Sequence, residues 1–524
     1  MYDLSSEKIA SKREIVLNEQ QEEALRLFKE FTESENLTFN LSGFSGTGKT
    51  TTTSFFLQHL RTLGKNYMIC SPTHKANKVI KKALNVGAEI KTIASLFGNR
   101  FNIIKKKWEF SAVPEEFLPP NITLFIDECG MINDETFICI IETCRDRNIQ
   151  VVFMGDEAQI PPINSKTISL SFTDCDVKYT LTKLMRQKPS NPLCEVYTSI
   201  RENLLANHRF QTCVNEETGE GLEIVTSMGV FETVIEEFLQ KEEFKKNSSF
   251  CKIITYTNNR VHNYNRIARK AFLEDDDLMG YQVGEILTGY NQIATDAIVQ
   301  NSQDYIVLKN NGIVNHRVNF IDAKSRDKNS NYKEKRFELK SYEITIKEAE
   351  QVSNYGMKIY IPLIDDEYNS SFFSNMYDIA MDLNKEKKPD VKKTLYKALV
   401  NIFKNIQLSD SLFIYDGTCQ SLSKLKKNNR ELFVQDSFGY SQFDQIMANN
   451  LGYVLEKNID YGYAISAHKS QGSTYENVLV DLIDINNPVT NKIISKEGKD
   501  FCIERNTLKY VALSRCKHKT IALQ

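Results

Sequence analysis

Gly43-Phe44-Ser45-Gly46-Thr47-Gly48-Lys49-Thr50 decides the fold of this 524-residue chain. The stretch matches the pattern G-x-x-x-x-G-K-[ST], follows an apolar alternation at 37–41 that predicts a strand, and precedes helical spacing of apolar residues over 51–63. Glycines let backbone N–H groups approach a polyphosphate, and the following helix N-terminus adds positive potential. A glycine-rich turn that matches by chance is the alternative, and the flanking strand and helix argue against it. The stretch therefore predicts binding of a nucleoside triphosphate.

The side chains of this phosphate loop indicate how the nucleotide and its metal would be held. Lys49 can reach the β- and γ-phosphates, and the Thr50 hydroxyl can ligate Mg²⁺. The nucleotide-binding candidates of the loop are Gly43, Gly46, Thr47, Gly48, Lys49, Thr50 and Thr51.

Two acidic residues downstream complete the expected site. Asp127-Glu128 follows an apolar run at 122–126 that predicts a strand. Such a pair alone is most often a solvated acidic turn, but its place after a strand and downstream of the loop favours function. Asp127 can join Thr50 as a ligand of Mg²⁺, and Glu128 can orient and deprotonate the attacking water.

A further motif, GDEAQIPP at 155–162, follows the next predicted strand at 150–154. An amide both donates and accepts hydrogen bonds, so Gln159 can sense the γ-phosphate while its neighbours move with it. A turn stiffened by Pro161 and Pro162 is the alternative reading of the same residues.

Composition limits the remaining possibilities. Lys+Arg 66 against Asp+Glu 68 gives a net charge of −2, so any nucleic-acid contact must be a local track. The 11 cysteines include no CxxC pair and no metal-ligand spacing, which is typical of reduced thiols inside a cell. We find no signal peptide at the start and no membrane-spanning window, and we expect a soluble cytoplasmic protein of a bacterium or a phage-infected host.

The pattern of runs predicts an α/β fold with more than one domain. Strand-like and helical stretches alternate over the first ~190 residues, as in a parallel sheet. A second α/β block is expected to start at Cys251 and to resume near 463–466 and 478–481. Between them lie β-rich runs at 304–308 and 358–363, a predicted turn at 309–312, and a basic helical segment at 384–404.

Nine segments stand in a particular order along the chain: 17–21, 43–50, 71–76, 91–96, 127–128, 155–162, 181–186, 467–474 and 510–515. Their order and residues resemble those of superfamily 1 helicases, and most of all the RecD-like group that includes the phage Dda helicase. The resemblance spans nearly the whole chain, although residues 281–460 carry none of the motifs.

The resemblance implies two RecA-like parallel-sheet domains in tandem. The first would comprise 1–96 and 121–190, with a small pin insert at 97–120. The second would comprise 191–280 and 461–524, with a larger insert at 281–460 made of an SH3-like barrel and a helical segment.

The resemblance also implies roles for single residues in the ATP site. Gln21 would read the adenine edge and Gly472 would line the nucleotide. Arg186 and Arg515 would be arginine fingers that act with Lys49, Asp127, Glu128 and Gln159 in catalysis. For any single arginine an ordinary surface ion pair is the alternative, and the matching flanking residues favour the catalytic role.

Contacts with a single strand are implied elsewhere in the chain. Hydroxyls, backbone N–H groups and a lysine suit phosphate binding without sequence preference. The candidates are Pro72, Thr73, His74, Thr92, Ser95, Thr257, Asn258, His468, Lys469 and Ser470. Trp108 follows three lysines in the short insert and could stack on a base pair as a pin, or belong to a small satellite core.

The implied function is an ATP-dependent, Mg²⁺-dependent DNA helicase that moves 5′→3′ on single-stranded DNA. A short insert in the first block and a long one in the second resemble that branch of the family. Single-stranded and forked DNA are the expected partners, with single-strand-binding or replication proteins as further candidates, no membrane, and a monomeric state. An RNA helicase, a translocase that only displaces proteins, and a non-enzymatic ATP switch stay open as alternatives.

Two positions depart from the family pattern. Cys129-Gly130 stand where a small residue and a serine are usual, which removes a hydroxyl between the ATP and strand sites. Lys517 stands where a second arginine is usual. Both departures leave the catalytic roles intact and put the efficiency of coupling in question.

Overall fold

A computed structural model describes residues 16–72, 91–97, 99–102, 107–110, 115, 117–162, 168–185, 191–274, 280–290, 299–326, 332–349, 356–363, 375, 459–486 and 498–524. These residues form two six-stranded sheets, one five-stranded sheet and one two-stranded hairpin. In this part of the chain, every helix is too short or too polar to cross a membrane.

The described helices and strands alternate through both halves of the chain. The helices are α1 (Glu19–Glu33), α2 (Lys49–Thr62), α3 (Ile93–Leu96), α4 (Asp134–Asp146), α5 (Leu170–Thr173), α6 (Leu193–Glu202), α7 (Met228–Leu239), α8 (Glu242–Lys246), α9 (Asn258–Leu273), α10 (Ala467–Ser470), α11 (Leu482–Ile485) and α12 (Gly498–Leu513). The strands are β1 (Thr38–Gly43), β2 (Tyr67–Ser71), β3 (Lys91–Thr92), β4 (Asn99–Asn102), β5 (Lys107–Phe110), β6 (Thr123–Ile126), β7 (Gln150–Gly155), β8 (Val177–Leu181), β9 (Cys213–Val214), β10 (Gly221–Val225), β11 (Cys251–Thr255), β12 (Ile286–Gly289), β13 (Asp304–Arg326), β14 (Tyr332–Glu348), β15 (Met357–Pro362), β16 (Ile459–Tyr461), β17 (Ala464–Ser466), β18 (Tyr475–Asp481) and β19 (Cys516–Leu523).

The first sheet has the order β3-β2-β6-β7-β1-β8, and all of its pairs are parallel. Every residue of β1 and β6 is buried, because helices cover both faces of a parallel sheet. On one face α1 and α2 pack through Phe28 and Phe56, whose rings stack 4.1 Å apart. The predicted α/β architecture is confirmed.

The second sheet has the order β17-β11-β18-β19-β10-β9 and is parallel except for the β9–β10 pair. Its first strands, β9 and β10, precede the expected start at Cys251, so that part of the prediction was wrong. The run Gly221–Val225 includes Glu223, and this mixed pattern lacks the continuous apolar run that marks a buried strand.

The inserted region contains an antiparallel sheet of order β15-β14-β13-β12-β16. The turn predicted at 309–312 is wrong, because β13 continues through it with a shift of register between Asn310 and Ile313. Gly312 has φ 85° and donates its N–H to Asn310 Oδ1 over 2.8 Å, so the segment is a glycine bulge. The SH3-like barrel stays a prediction, and the helical segment at 384–404 lies outside the described residues.

The strands separate along the chain in a way that suits the predicted domains. Those of the first sheet lie within 1–96 and 121–190, and those of the second within 191–280 and 461–524. The hairpin β4–β5 lies in the predicted pin insert. Among the strands that the structure describes, β16 at Ile459–Tyr461 is the one that crosses a predicted boundary, and the exact domain limits stay a prediction.

Candidate active site

The phosphate loop connects β1 to α2, and its glycines are required by its shape. Gly46 and Gly48 have φ of 88° and 85°, in the left-handed region that other residues rarely adopt. A Cβ added at Gly43 would lie 2.7 Å from Thr47 Oγ1. Thr47 itself is buried, and its hydroxyl donates to Phe44 O over 2.9 Å. The loop is therefore held tightly, with the α2 N-terminus behind it.

Lys49, the first residue of α2, turns its side chain back over the loop. Its ammonium donates to Gly43 O over 2.7 Å and to Phe44 O over 3.1 Å. These carbonyls hold the charged group at the mouth of the loop, where a phosphate oxygen would be a stronger, charge-assisted partner.

One cavity of about 320 Å³ lies between the two parallel sheets. Residues from both α/β halves line it, so it brings together predictions that are far apart in the sequence. The first half contributes Ser45, Gly46, Gly48, Lys49, Thr50, Thr51, Asp127, Glu128, Gln159 and Met185, and the second half contributes Gly472, Ser473, Thr474 and Arg515.

Asp127 and Glu128 stand at the carboxyl end of β6, where the chain enters this cavity. The surrounding protein and the neighbouring Glu128 carboxylate raise the pKa of Asp127 to about 7, although Lys49 opposes the rise. Two carboxylates side by side in a cleft favour a cation between or beside them. The Thr50 hydroxyl and the Asp127 carboxylate are oxygen ligands of the type that Mg²⁺ prefers, so the residues present fit the ion.

Glu128 adopts a strained backbone conformation. Its φ of 52° and ψ of 39° are left-handed, which costs a residue with a Cβ roughly 1–2 kcal/mol. Such strain is retained at functional sites because the surrounding structure enforces it. A Cβ added at Gly472 would lie 3.8 Å from Glu128 Oε1, so the carboxylate faces the second half of the chain across the cavity.

Gln159 and Arg515 supply buried polar atoms to the same cavity. Arg515 is 3% exposed, and its Nε and Nη1 donate to Val511 O over 3.1 Å and Ser473 O over 3.4 Å. Arg515 Nη2 and Gln159 Oε1 are buried and have no hydrogen-bond partner among the described residues. Buried polar groups are normally satisfied, so both atoms fit a ligand with charged oxygens and bound water.

The side chain of Gln21 connects the start of α1 to the phosphate loop. Its Oε1 accepts from Asn18 N over 3.1 Å in a capping box at the start of α1, and its Nε2 donates to Thr47 O over 3.3 Å. A Cβ added at Gly48 would lie 2.5 Å from Gln21 Nε2. An adenine contact by this amide would replace the bond to Thr47, and that contact stays a prediction.

The segment that leads to Arg186 is attached to the same loop. Gln20 Oε1 accepts from Thr182 N and Lys183 N, over 3.0 and 2.9 Å. Met185 N donates to Gly46 O over 2.8 Å. Arg186 itself lies outside the described residues, so its role as a finger stays a prediction.

The structure places the predicted strand-contact residues of the second half at the carboxyl ends of β11 and β17. Asn258 and His468 are exposed, and the His468 ring lies 6.0 Å from that of Tyr256. Lys469 Nζ lies 4.2 Å from the ring of Tyr290 and donates to Asn301 Oδ1 over 2.9 Å.

Two other hydroxyls in this set are used inside the protein. Thr257 donates to Asp484 Oδ1 over 2.9 Å and caps α9, and buried Ser470 donates to Ala467 O over 2.7 Å. Their side chains are therefore less available to a strand than the sequence suggested.

In the first half, Pro72 follows β2 and buried Thr92 ends β3. Ser95 lies in α3 and Trp108 in β5, and the side chains of both lie outside the described residues, as do Thr73 and His74 entirely. The pin hypothesis for Trp108 stays a prediction.

Sequence reasoning named no role for several cavity residues, although each lies within a motif segment that it used. These are Ser45, Met185, Ser473 and Thr474. The two departures from the family pattern lie in different surroundings. Cys129 is buried and packs closely against Gly155, because a Cβ added at Gly155 would lie 2.8 Å from the Cys129 Sγ. Lys517 is exposed and does not line the cavity.

Comparison with known proteins finds one matching family model and several similar proteins. The AAA domain family matches residues 16–211. The ATP-dependent DNA helicase dda of Enterobacteria phage T4 is 26% identical over 281 residues, which are 52% of this chain and 60% of that protein. The ATP-dependent RecD2 DNA helicase of Deinococcus radiodurans is 26% identical over 160 residues, 30% of this chain and 20% of that protein.

A longer match covers 89% of this chain and 93% of the uncharacterized protein R530 of Acanthamoeba polyphaga mimivirus, at 24% identity over 499 residues. Among solved structures, the Pif1 helicase from Bacteroides in complex with ADP-AlF3 and ssDNA is similar at a TM-score of 0.46 and 15% identity, covering 97% of this chain and 92% of that one.

Proposed function

We propose that this chain, an ATP-dependent DNA helicase of the RecD-like group of superfamily 1 that includes the phage Dda helicase, moves 5′→3′ along single-stranded DNA and unwinds duplex DNA. The observation that carries the proposal is the shared cavity, in which Lys49, Asp127 and Glu128 of the first domain face Arg515 of the second. Neither domain alone holds a complete set of catalytic groups.

The residues divide the work of ATP hydrolysis between them. Bound Mg²⁺ would neutralise phosphate charge, and Thr50 and Asp127 would hold it. The loop N–H groups and Lys49 bind the phosphates, and Glu128 takes the proton of the attacking water. Arg515 places a guanidinium against the charge that develops on the transferred phosphoryl group.

Hydrolysis is coupled to movement because ATP contacts both domains. The nucleotide favours the closed arrangement while its γ-phosphate connects the loop to Arg515, and hydrolysis removes that connection. A strand held by contacts on each domain is then gripped and released in alternation. Asn258, His468 and Lys469 are exposed or partly exposed on the second domain and can provide one of the two grips.

The 5′→3′ direction is supported by where the inserted elements lie. Between Leu96 and β6, the described residues of the first domain form the β4–β5 hairpin, whereas the second domain carries the five-stranded sheet and the long stretch of sequence that follows it. This distribution resembles the 5′→3′ branch of the family.

Forked duplexes with a single tail test the proposal. Wild-type protein with ATP and Mg²⁺ should open a fork that has only a 5′ tail, and a fork with only a 3′ tail should stay closed. Opening from the 3′ tail alone would reverse the direction and leave the ATPase intact.

ATPase stimulation by matched DNA and RNA oligonucleotides tests the substrate. We expect DNA to stimulate hydrolysis more than RNA. Equal stimulation would favour an RNA-directed enzyme, and stimulated hydrolysis without any fork opening would favour a translocase that displaces proteins. ATP binding by the wild-type protein without hydrolysis, with or without either oligonucleotide, would instead support a non-enzymatic switch.

A further inference from the structure

Asp156, at the carboxyl end of β7, is buried and accepts hydrogen bonds from both domains. Oδ2 accepts from the Tyr510 hydroxyl over 2.5 Å and from Ser45 N of the phosphate loop over 3.1 Å. Oδ1 accepts from Ala158 N over 3.2 Å and from Arg201 Nε over 3.3 Å. Two of these donors, Tyr510 on α12 and Arg201 on α6, belong to the second domain.

Arg201 also contacts the phosphate loop itself, through the ring of Phe44. The Arg201 guanidinium lies 3.8 Å above the centre of the Phe44 ring, and Arg201 Nη2 lies 3.4 Å from Glu157 Oε1. Ser45 N also lies 3.1 Å from the Tyr510 hydroxyl. Two consecutive loop residues, Phe44 and Ser45, therefore touch side chains of the second domain directly.

Apolar packing surrounds this cluster. Ala158 of the first domain is buried in the same apolar cluster as Leu193 and Tyr197 of α6 and Tyr510 of α12. Burial and the Asp156 carboxylate raise the pKa of Tyr510 well above its usual value, so the hydroxyl keeps its proton and donates. A buried carboxylate needs its donors, so the cluster favours the arrangement in which the two domains are closed.

Tyr510 is connected to the arginine finger through a short rigid path. It lies in the last turn of α12, and Ser514 N donates to Tyr510 O over 3.0 Å. Arg515 follows directly and is tied to the same helix by its bond to Val511 O. The distance between Tyr510 and the loop thus determines where the Arg515 guanidinium stands in the cavity.

We propose that Asp156 is a positioning residue, which through Tyr510 and Arg201 locks the second domain onto the phosphate loop and so sets Arg515 against the reacting phosphoryl group. The inference rests on the proposed ATPase function. It assigns Asp156, Tyr510 and Arg201 no contact with the nucleotide, because none of them lines the cavity.

Tyr510→Phe tests the lock, since it removes one hydroxyl and keeps the ring. We expect kcat of the DNA-stimulated ATPase to fall by about tenfold or more, while KM for ATP stays within about twofold. The affinity for ADP–aluminium fluoride should fall by a similar factor and the affinity for ADP should not, because only the former needs Arg515 in place. Arg201→Gln should change the same ratio in the same direction.

Tyr264→Phe is the matched control. The Tyr264 hydroxyl also donates to a buried aspartate, Asp481 Oδ2 over 2.7 Å, but both residues lie within the second domain. The Tyr264→Phe variant should lower the melting temperature about as much as Tyr510→Phe does. It should leave the ratio of the affinities for ADP–aluminium fluoride and ADP unchanged.

The outcomes separate this inference from the proposed function. Absence of ATP hydrolysis by the wild-type protein would reject the proposed function itself. Hydrolysis by wild-type protein, with Tyr510→Phe and Arg201→Gln both matching Tyr264→Phe in kcat and in the affinity ratio, would reject the lock alone.

Discussion

The two parallel sheets share one topology, yet only one of them carries a phosphate loop. When the edge strands β8 and β9 are left out and the other five strands of each sheet are counted in chain order, β3-β2-β6-β7-β1 and β17-β11-β18-β19-β10 have the same order, 3-2-4-5-1. In the first domain five residues, 44–48, separate the first strand from its helix. In the second only 226–227 separate β10 from α7, so the equivalent loop is too short to surround a phosphate.

The comparison also explains how one nucleotide can touch both domains. Asp127 and Glu128 follow the carboxyl end of β6, as open α/β sheets commonly place ligands. Arg515 immediately precedes β19, and Gly472–Thr474 precede β18, at the amino ends of the second sheet. The cavity thus lies between the carboxyl edge of one sheet and the amino edge of its repeat, which leaves the carboxyl edge of the second sheet available for another ligand.

The residues predicted to contact DNA occupy equivalent places in the two repeats. Pro72 follows the second strand of its sheet, as Thr257 and Asn258 do in theirs, and His468 and Lys469 follow the third. The repeat therefore supports a strand that crosses the same edge of both domains, while the ATP lies at the interface between them.

Removal of the arginine finger proposed for the second domain should have the largest effect. Arg515→Ala takes away the guanidinium that faces Lys49 across the cavity, and we expect kcat for ATP to fall roughly 10³- to 10⁵-fold. Binding of ADP should change little, because the phosphate loop is intact. Steady-state ATPase and equilibrium binding measure the two quantities.

Lys517→Ala is the control for that experiment, since Lys517 is exposed and lies outside the cavity. If the two variants hydrolysed ATP at similar rates, the first domain would be sufficient for catalysis. The proposal that the second repeat supplies a catalytic group would then be wrong.

Glu128→Gln should have the next largest effect, on the first domain's side of the cavity. The amide keeps the size of the side chain and cannot take a proton, so kcat should fall roughly 10²- to 10⁴-fold. ATP binding and closure should persist, and the variant should hold single-stranded DNA in the presence of ATP. Retention of more than about half of the wild-type rate would assign the base to another residue.

The fold of the first domain could be predicted because its central strands β1, β6 and β7 are buried on both faces. Runs predicted at 122–126 and 150–154 are observed as Thr123–Ile126 and Gln150–Gly155, since a continuous apolar run of this length is typical of such strands. The start of the second sheet and the bulge at Gly312 were missed, because mixed polarity at β10 and an Asn-Asn-Gly sequence each suit another local structure equally well.

The cavity could be predicted from motifs, and the contacts that close it could not. Lys49, Asp127, Gln159 and Arg515 each belong to a recognisable segment. The bond from Tyr510 to Asp156 joins positions 354 residues apart, and Arg201 belongs to no motif at all. Which side chains meet across two domains depends on how the domains pack, and local patterns carry no information about that.

The smallest predicted effect concerns the carboxyl edge of the second sheet. Lys469→Ala removes one ammonium beside Tyr290 and Asn301. We therefore expect the slope of log affinity for single-stranded DNA against log salt concentration to become shallower by about the amount that one phosphate contact contributes. The affinity at low salt should fall several-fold, whereas ATP hydrolysis without DNA should not change. Titrations of a fluorescent oligonucleotide at several salt concentrations give the slope.

Lys245→Ala is a suitable comparison, because Lys245 pairs with Glu242 on the surface of α8 and should leave that slope unchanged. Equal slopes for the wild-type protein and both variants would mean that the strand avoids this edge. The two repeats would then share a fold without sharing a DNA-binding edge. The DNA contact of the second domain would have to lie elsewhere on the chain.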